Sequence, residues 1–166
     1  MKITQGPDLI SEKIIKDKIG QDLKKKFQIF AKKQLLPDHL GKPPEEIIRL
    51  AEVIVEGGDT ALAAARPGMT CGEVEEIWQN VLKRNGYQKE SRVGYSIGLN
   101  YPPDWGERTA SLRRGDNTVL EAGMCFHFQS GMWLKEFGAA ISEPFVVTEN
   151  GGERFCSVNR ELIILD

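Results

Sequence analysis

Met124-Cys125-Phe126-His127-Phe128-Gln129-Ser130 alternates apolar and polar side chains with a period of two, the pattern of a strand with two unlike faces. Met124, Phe126 and Phe128 fall on one face and suit a core. Cys125, His127 and Gln129 fall on the other, which is polar enough to line a pocket. A face that carries His, Gln and a thiol but no Lys or Glu is an unusual one to present to bulk water. The plainer alternative, a half-buried strand whose His and Gln meet solvent, stays open at this point. Around it, segments 92–99, 118–120, 132–137, 140–148 and 162–165 are rich in Val, Ile, Phe and Tyr and are separated by Gly, Pro and Asn. They predict further strands of an antiparallel sheet.

Upstream the period changes. Pro43 and Pro44 suit the first turn of a helix, because the amide donors they lack would be unpaired there, and Glu45 and Glu46 complement its positive end. The stripe Ile47, Leu50, Ala51, Ile54, Val55, Ala61, Leu62 and Ala65 carries that helix to Arg66-Pro67-Gly68. Gly57-Gly58 in its middle costs about 1 kcal/mol per glycine relative to Ala, and close packing is the expected reason. Thr70 followed by Glu73 is a capping-box pattern, and Val74, Ile77, Trp78, Val81 and Leu82 give a second helix stopped by Asn85-Gly86. Two helices followed by a run of strands predict an α+β domain with the helices on one face of a curved antiparallel sheet.

The 166 residues, 40% hydrophobic and 28% charged, suit one compact domain. Apolar runs are too short for a membrane helix, and the first thirty residues lack the pattern of a secretory signal, so a cytoplasmic location is expected. Cys71, Cys125 and Cys156 lie far apart without CxxC spacing; reduced thiols are expected, two of them on strands. The net charge of −2 hides an asymmetry: ten Lys and five acids in residues 1–42, against twelve basic and nineteen acidic residues in 43–166. In the basic segment Ile10, Ile14, Ile15, Ile19, Leu23, Phe27 and Phe30 recur at roughly helical spacing. Residues 1–39 therefore read as a basic amphipathic helix docked on the body, and 40–166 as the domain proper. No Arg and few aromatics in the segment speak against nucleic acid, and neither nucleic acid nor membrane is expected as a partner.

The stretch 93–108, Val-Gly-Tyr-Ser-Ile-Gly-Leu-Asn-Tyr-Pro-Pro-Asp-Trp-Gly-Glu-Arg, is dense in residue types that line small-molecule sites. Glycines admit a ligand to the backbone, aromatics make apolar walls, and carboxylates move protons or pair with cations. The alternative is a proline-stiffened loop with structural aromatics.

Leu40-Gly41-Lys42-Pro43-Pro44, Ala65-Arg66-Pro67-Gly68, Gly94-Tyr95-Ser96-Ile97-Gly98, Tyr101-Pro102-Pro103-Asp104-Trp105-Gly106-Glu107-Arg108-Thr109 and Leu120-Glu121-Ala122-Gly123-Met124 together resemble the C-terminal part of the pita-bread hydrolases. That family includes the methionine and Xaa-Pro aminopeptidases, prolidase and creatinase. Within it, the 101–109 segment and the Phe126-His127-Phe128 strand are most similar to the ectoine hydrolases. The resemblance covers about residues 40–166 and implies the second half of a pita-bread fold. It also implies a ligand pattern: metallopeptidases of the family hold two divalent ions through two Asp, one His and two Glu. The His position falls on Tyr95, the first Glu on Gln129, and the second on or beside Ser142, with Glu143 adjacent. Tyr, Gln and Ser are poor replacements for such ligands, so neither a metal nor another cofactor is expected, as in the metal-free members.

On this resemblance Tyr95, His127, Glu107 and Glu143 are the candidate catalytic residues. Tyr95 would donate or polarise, His127 would act as acid or base with a pKa near neutrality, and Glu107, Asp104 or Glu143 would orient it. Ser96, Tyr101, Asp104, Trp105 and Gln129 are the candidate substrate contacts. Each has a structural alternative as a core aromatic, a bonded neutral ring or a loop cap. Because the family's catalytic unit has two similar halves, the expected partners are a small-molecule substrate and either a second copy of the chain or a chain supplying the first half. Two functional expectations follow: a metal-independent hydrolase of a C–N bond in a small zwitterionic metabolite, or a truncated, non-catalytic family member. A metal-dependent Xaa-Pro aminopeptidase is the third.

Overall fold

In the computed structural model the described residues are 39–40, 43–98, 106–135, 137–157, 159–160, 162 and 164–165. The expected helix within 1–39 lies outside them. The elements in chain order are β1 (His39–Leu40), α1 (Glu45–Ala64), α2 (Cys71–Arg84), β2 (Gly94–Ile97), β3 (Gly106–Leu112), β4 (Cys125–Trp133), β5 (Gly138–Thr148), β6 (Gly151–Arg154) and β7 (Ile164–Leu165). Five of the strands form an antiparallel sheet in the order β3-β2-β4-β5-β6, and β1 pairs with β7 in parallel as a separate ladder. Both helices pack on one face of the sheet, which is the pita-bread arrangement of two helices on a sheet.

The helices begin and end for the reasons the sequence offers, with one shift. Helix α1 starts at Glu45, so Pro44 is its N-cap rather than part of its first turn, and Glu45 and Glu46 lie at the positive end. Its buried face is Leu50, Ala51, Val53, Ile54, Gly57, Gly58, Ala61 and Leu62. Helix α2 carries the full capping box: the Glu73 amide donates to Thr70 Oγ1 at 3.2 Å and the Thr70 amide donates to Glu73 Oε2 at 2.7 Å. It ends at Asn85, with Gly86 at φ 80° making the left-handed turn that glycine adopts without strain. Segment 116–120 runs beside the turn between the helices, where Leu120 N donates to Met69 O at 2.7 Å; only the bridge Thr70–Val119 forms there, not the expected strand.

Trp78 of α2 is fully buried at the centre, and one polar relay ties both helices to β4. Trp78 Nε1 donates to Ser130 Oγ at 2.9 Å, and that hydroxyl donates to the Ile54 carbonyl of α1 at 2.9 Å. A Cβ on Gly57 would stand 2.9 Å from Trp78 Nε1, which explains this glycine; at Gly58 the nearest contact would be an ordinary 3.7 Å. Phe126, Phe128 and Phe145 fill the space between sheet and helices. Burial of each such ring stabilises the fold by roughly 1.5–3 kcal/mol.

Candidate functional site

Strand β4 decides which residues meet. Its ladder with β5 runs without interruption from Cys125 opposite Val146 to Trp133 opposite Gly138, so the two-residue period holds throughout. Phe126, Phe128 and Ser130 face the helices, while His127 and Gln129 face the other way. Tyr95 of β2 lies opposite His127, and Ser142 of β5 lies opposite Gln129. Tyr95, His127, Gln129 and Ser142 therefore share one sheet face, drawn from three strands that are far apart in sequence.

At its centre the Tyr95 hydroxyl lies 2.7 Å from His127 Nδ1, with the two rings edge-on at 5.1 Å between centroids. His127 is not the half-exposed residue of the plainer alternative: it is only 6% exposed, and burial pushes its imidazole down to about 4. This corrects the expectation of a pKa near neutrality. At pH 7 the ring is neutral, with one nitrogen donating and one accepting, and its tautomer decides the direction of the Tyr95 hydrogen bond. Arg92, just before β2, places its guanidinium 4.7 Å from the Tyr95 ring centroid. Cys125 shares the face of His127; its Sγ is 3.5 Å from the Gly123 carbonyl, and burial raises its pKa, keeping it a thiol. Of the cysteines only this one lies in a strand, since Cys71 opens α2 and Cys156 follows β6.

The strand is held in place by a residue that periodicity does not reveal. Strand β2 pairs with β4 only as far as Phe128; beyond it the Gln129 amide donates to the Val93 carbonyl at 2.6 Å. The Lys89 ammonium then takes over, donating to the carbonyls of Gly131 at 2.9 Å and Gln129 at 3.4 Å. It also lies 5.5 Å from the Trp78 ring and 5.0 Å from the Trp133 ring. Burial lowers its pKa to about 8. The backbone of Lys89 is in turn held by the Gln79 side chain, which α2 presents toward the core.

Other expected site residues stand elsewhere. Glu143 follows Ser142 and so points to the opposite face, toward α1, in register with Phe128. There it meets Arg154 Nη1 at 3.2 Å and Arg160 Nε at 3.4 Å, while Arg160 Nη2 reaches Asp59 of α1 at 2.6 Å. Burial raises the Glu143 pKa and the two arginines oppose the rise. This carboxylate anchors the segment after β6 and does not orient His127. Ser96, adjacent to Tyr95 and opposite Phe126, also lies on the far face, its hydroxyl 3.0 Å from Thr109 Oγ1. The backbone of Glu107 is in β3, whereas Tyr101, Asp104 and Trp105 lie outside the described residues. A surface cleft of about 410 Å³ opens between α2 and residues 114–117, and none of its lining residues belongs to the Tyr95–His127 face.

A family model described as metallopeptidase family M24 matches residues 38–149. The chain belongs to metallopeptidase family M24. It is 46% identical over 128 residues to an uncharacterized hydrolase/peptidase of Sinorhizobium fredii, covering 77% of this chain and 33% of that protein. It is 39% identical over 127 residues to the ectoine hydrolase of Halomonas elongata, covering 76% of this chain and 32% of the hydrolase. Among solved structures, dipeptidase PepE of Mycobacterium ulcerans superposes with a TM-score of 0.70 at 27% identity, over 77% of this chain and 34% of PepE. The M24 chain thus spans about a third of the length of the curated relatives it matches.

Membership of M24 raises the question of metal. The sheet brings the three positions that the resemblance assigns to ligands, Tyr95, Gln129 and Ser142, to one face, as a ligand set requires. Their donors are a phenol, an amide and a hydroxyl, all neutral at pH 7. Among the described residues no three His, Cys, Asp or Glu side chains converge. Such a donor set does not fit a pair of divalent cations, which need carboxylate and imidazole.

Proposed function

We propose that the Tyr95–His127 face is one wall of a metal-independent hydrolase site acting on a C–N bond of a small zwitterionic metabolite. The observation that carries this reading is the 2.7 Å Tyr95–His127 pair, standing on the face where the family's ligands would converge. The similarity to ectoine hydrolase supports the substrate class.

In this reading His127 works as a neutral ring. With Tyr95 donating to Nδ1, Nε2 keeps its proton, and its N–H offers a hydrogen bond to the heteroatom of the scissile group, stabilising the charge that develops there. Gln129 and Ser142, opposite one another across the β4–β5 ladder, orient the substrate by hydrogen bonds. A carboxylate that activates water is assigned to the facing wall, contributed by a second copy of the chain or by a separate chain.

A thermal-shift titration in EDTA with ectoine, hydroxyectoine, creatine and a Pro-containing dipeptide tests this. A ligand at a hundred times its dissociation constant adds about 2.7 kcal/mol, several degrees for a domain of this size. Stabilisation by a zwitterion in EDTA, lost in Tyr95→Phe, is expected. No shift from any compound, or a shift only with added Mn²⁺, would overturn the reading.

A further inference from the structure

We infer that Arg92 is the carboxylate-recognition residue of this site, so that its substrates carry a carboxylate close to the scissile C–N bond. The inference deepens the proposed function and rests on it only for the identity of the scissile group. Arg92 is exposed and precedes β2, and its guanidinium lies 4.7 Å from the centroid of the Tyr95 ring. The hydroxyl of that same ring is 2.7 Å from His127 Nδ1. A cation and an imidazole therefore flank a single phenol ring, within the span of one small molecule.

Stacking on an aromatic face fixes the guanidinium plane while leaving its in-plane N–H donors available, the fork geometry that matches a carboxylate with two parallel hydrogen bonds. Three other arginines of the fold hold carboxylates of the chain itself: Arg84 pairs with Glu56, Arg154 with Glu143, and Arg160 with both Asp59 and Glu143. Among the described residues no carboxylate pairs with Arg92. The ring it stacks on and the imidazole bonded to that ring carry no charge at pH 7, with His127 kept neutral by burial. Arg92 thus sets the sign of charge at this edge of the face and selects an anionic group. A zwitterion docked by its carboxylate on Arg92 presents its neighbouring C–N bond to the Tyr95–His127 pair.

The test is an NMR titration of the full chain at constant ionic strength with acetate and, separately, with acetamide, read at the ring signals of His127 and Tyr95. Acetate is expected to shift both saturably and acetamide not. Arg92→Gln, with an unchanged melting temperature because the residue is exposed, is expected to weaken acetate binding by about tenfold or more. Equal responses to acetate and acetamide, no saturable response, or an Arg92→Gln variant that binds acetate as well as the parent chain would each overturn the inference. Acetate binding that depends on Arg92, without hydrolysis of any zwitterion, would uphold it while the hydrolase reading fails.

Discussion

Acid stability isolates the burial of His127. In the unfolded chain the imidazole takes up its proton near 6.5, whereas in the fold it does so only at about 4. Between these values the unfolded state holds more protons, so stability falls as the pH falls and levels off once both states are protonated. Each pH unit of that interval is worth about 1.4 kcal/mol, so roughly 3 kcal/mol should be lost between pH 7 and pH 4. Other groups titrate over the same range: Asp116 and Glu73, held below the ordinary carboxylate range by hydrogen bonds, add to the loss, and Glu143, raised by burial, works against it. A His127→Gln variant subtracts them, because it retains a polar side chain opposite Tyr95 but no titrating ring. Urea midpoints of both proteins at pH 7, 6, 5 and 4 should diverge by about 3 kcal/mol in favour of the variant. In melting temperature that is roughly 6–12 °C. The reasoning fails if the two curves run parallel, or if the His127 ring carbons titrate near 6.5 by NMR.

Three further outcomes are expected. Gly57→Ala should destabilise the chain by about 1–3 kcal/mol, because its methyl group would stand 2.9 Å from an indole already bonded to Ser130, whereas Gly58→Ala should be neutral or stabilising by up to about 1 kcal/mol; parallel urea melts compare them. Trp78→Phe removes the donor to Ser130 and leaves space in the core, and calorimetry should show a loss of about 1–3 kcal/mol. Glu143→Gln leaves two arginines facing an uncharged amide and should cost about 1–3 kcal/mol by chemical denaturation, without moving the His127 titration, since the two residues lie on opposite faces.

The elements that read clearly from sequence are those whose signals are local. Thr70 and Glu73 cap α2 through atoms three residues apart, and the alternation around Phe126 and Phe128 needs only the pleat. Pro102, Pro103 and Gly106 carry turn signals that mask strand β3, whose strand character comes from pairing with β2. Ser130-Gly131 read as a break between two strands, yet β4 runs through it: a Cβ on Gly131 would lie 2.7 Å from the Ala140 Cβ, so the glycine marks close approach. Likewise 149–150 is the two-residue turn of a β5–β6 hairpin, and the Asn150-Gly151 dipeptide at its exit is the available signal. Glu143 enters the candidate site by adjacency to Ser142 and Ser96 as part of the 93–108 stretch, but neighbouring residues on a strand face opposite ways, which turns both away from Tyr95 and His127. Lys89 belongs to no periodic pattern, and its contacts arise from where β2 leaves β4.

The neutrality of the Tyr95, Gln129 and Ser142 face is best tested by elemental analysis of the purified chain after equilibration with saturating Mn²⁺, Co²⁺ or Zn²⁺ and removal of free ion. The expected content is well below one ion per chain and unchanged in Tyr95→Phe. Two ions per chain, lost when Tyr95, Gln129 or Ser142 is substituted, would contradict it and restore a metallopeptidase centre.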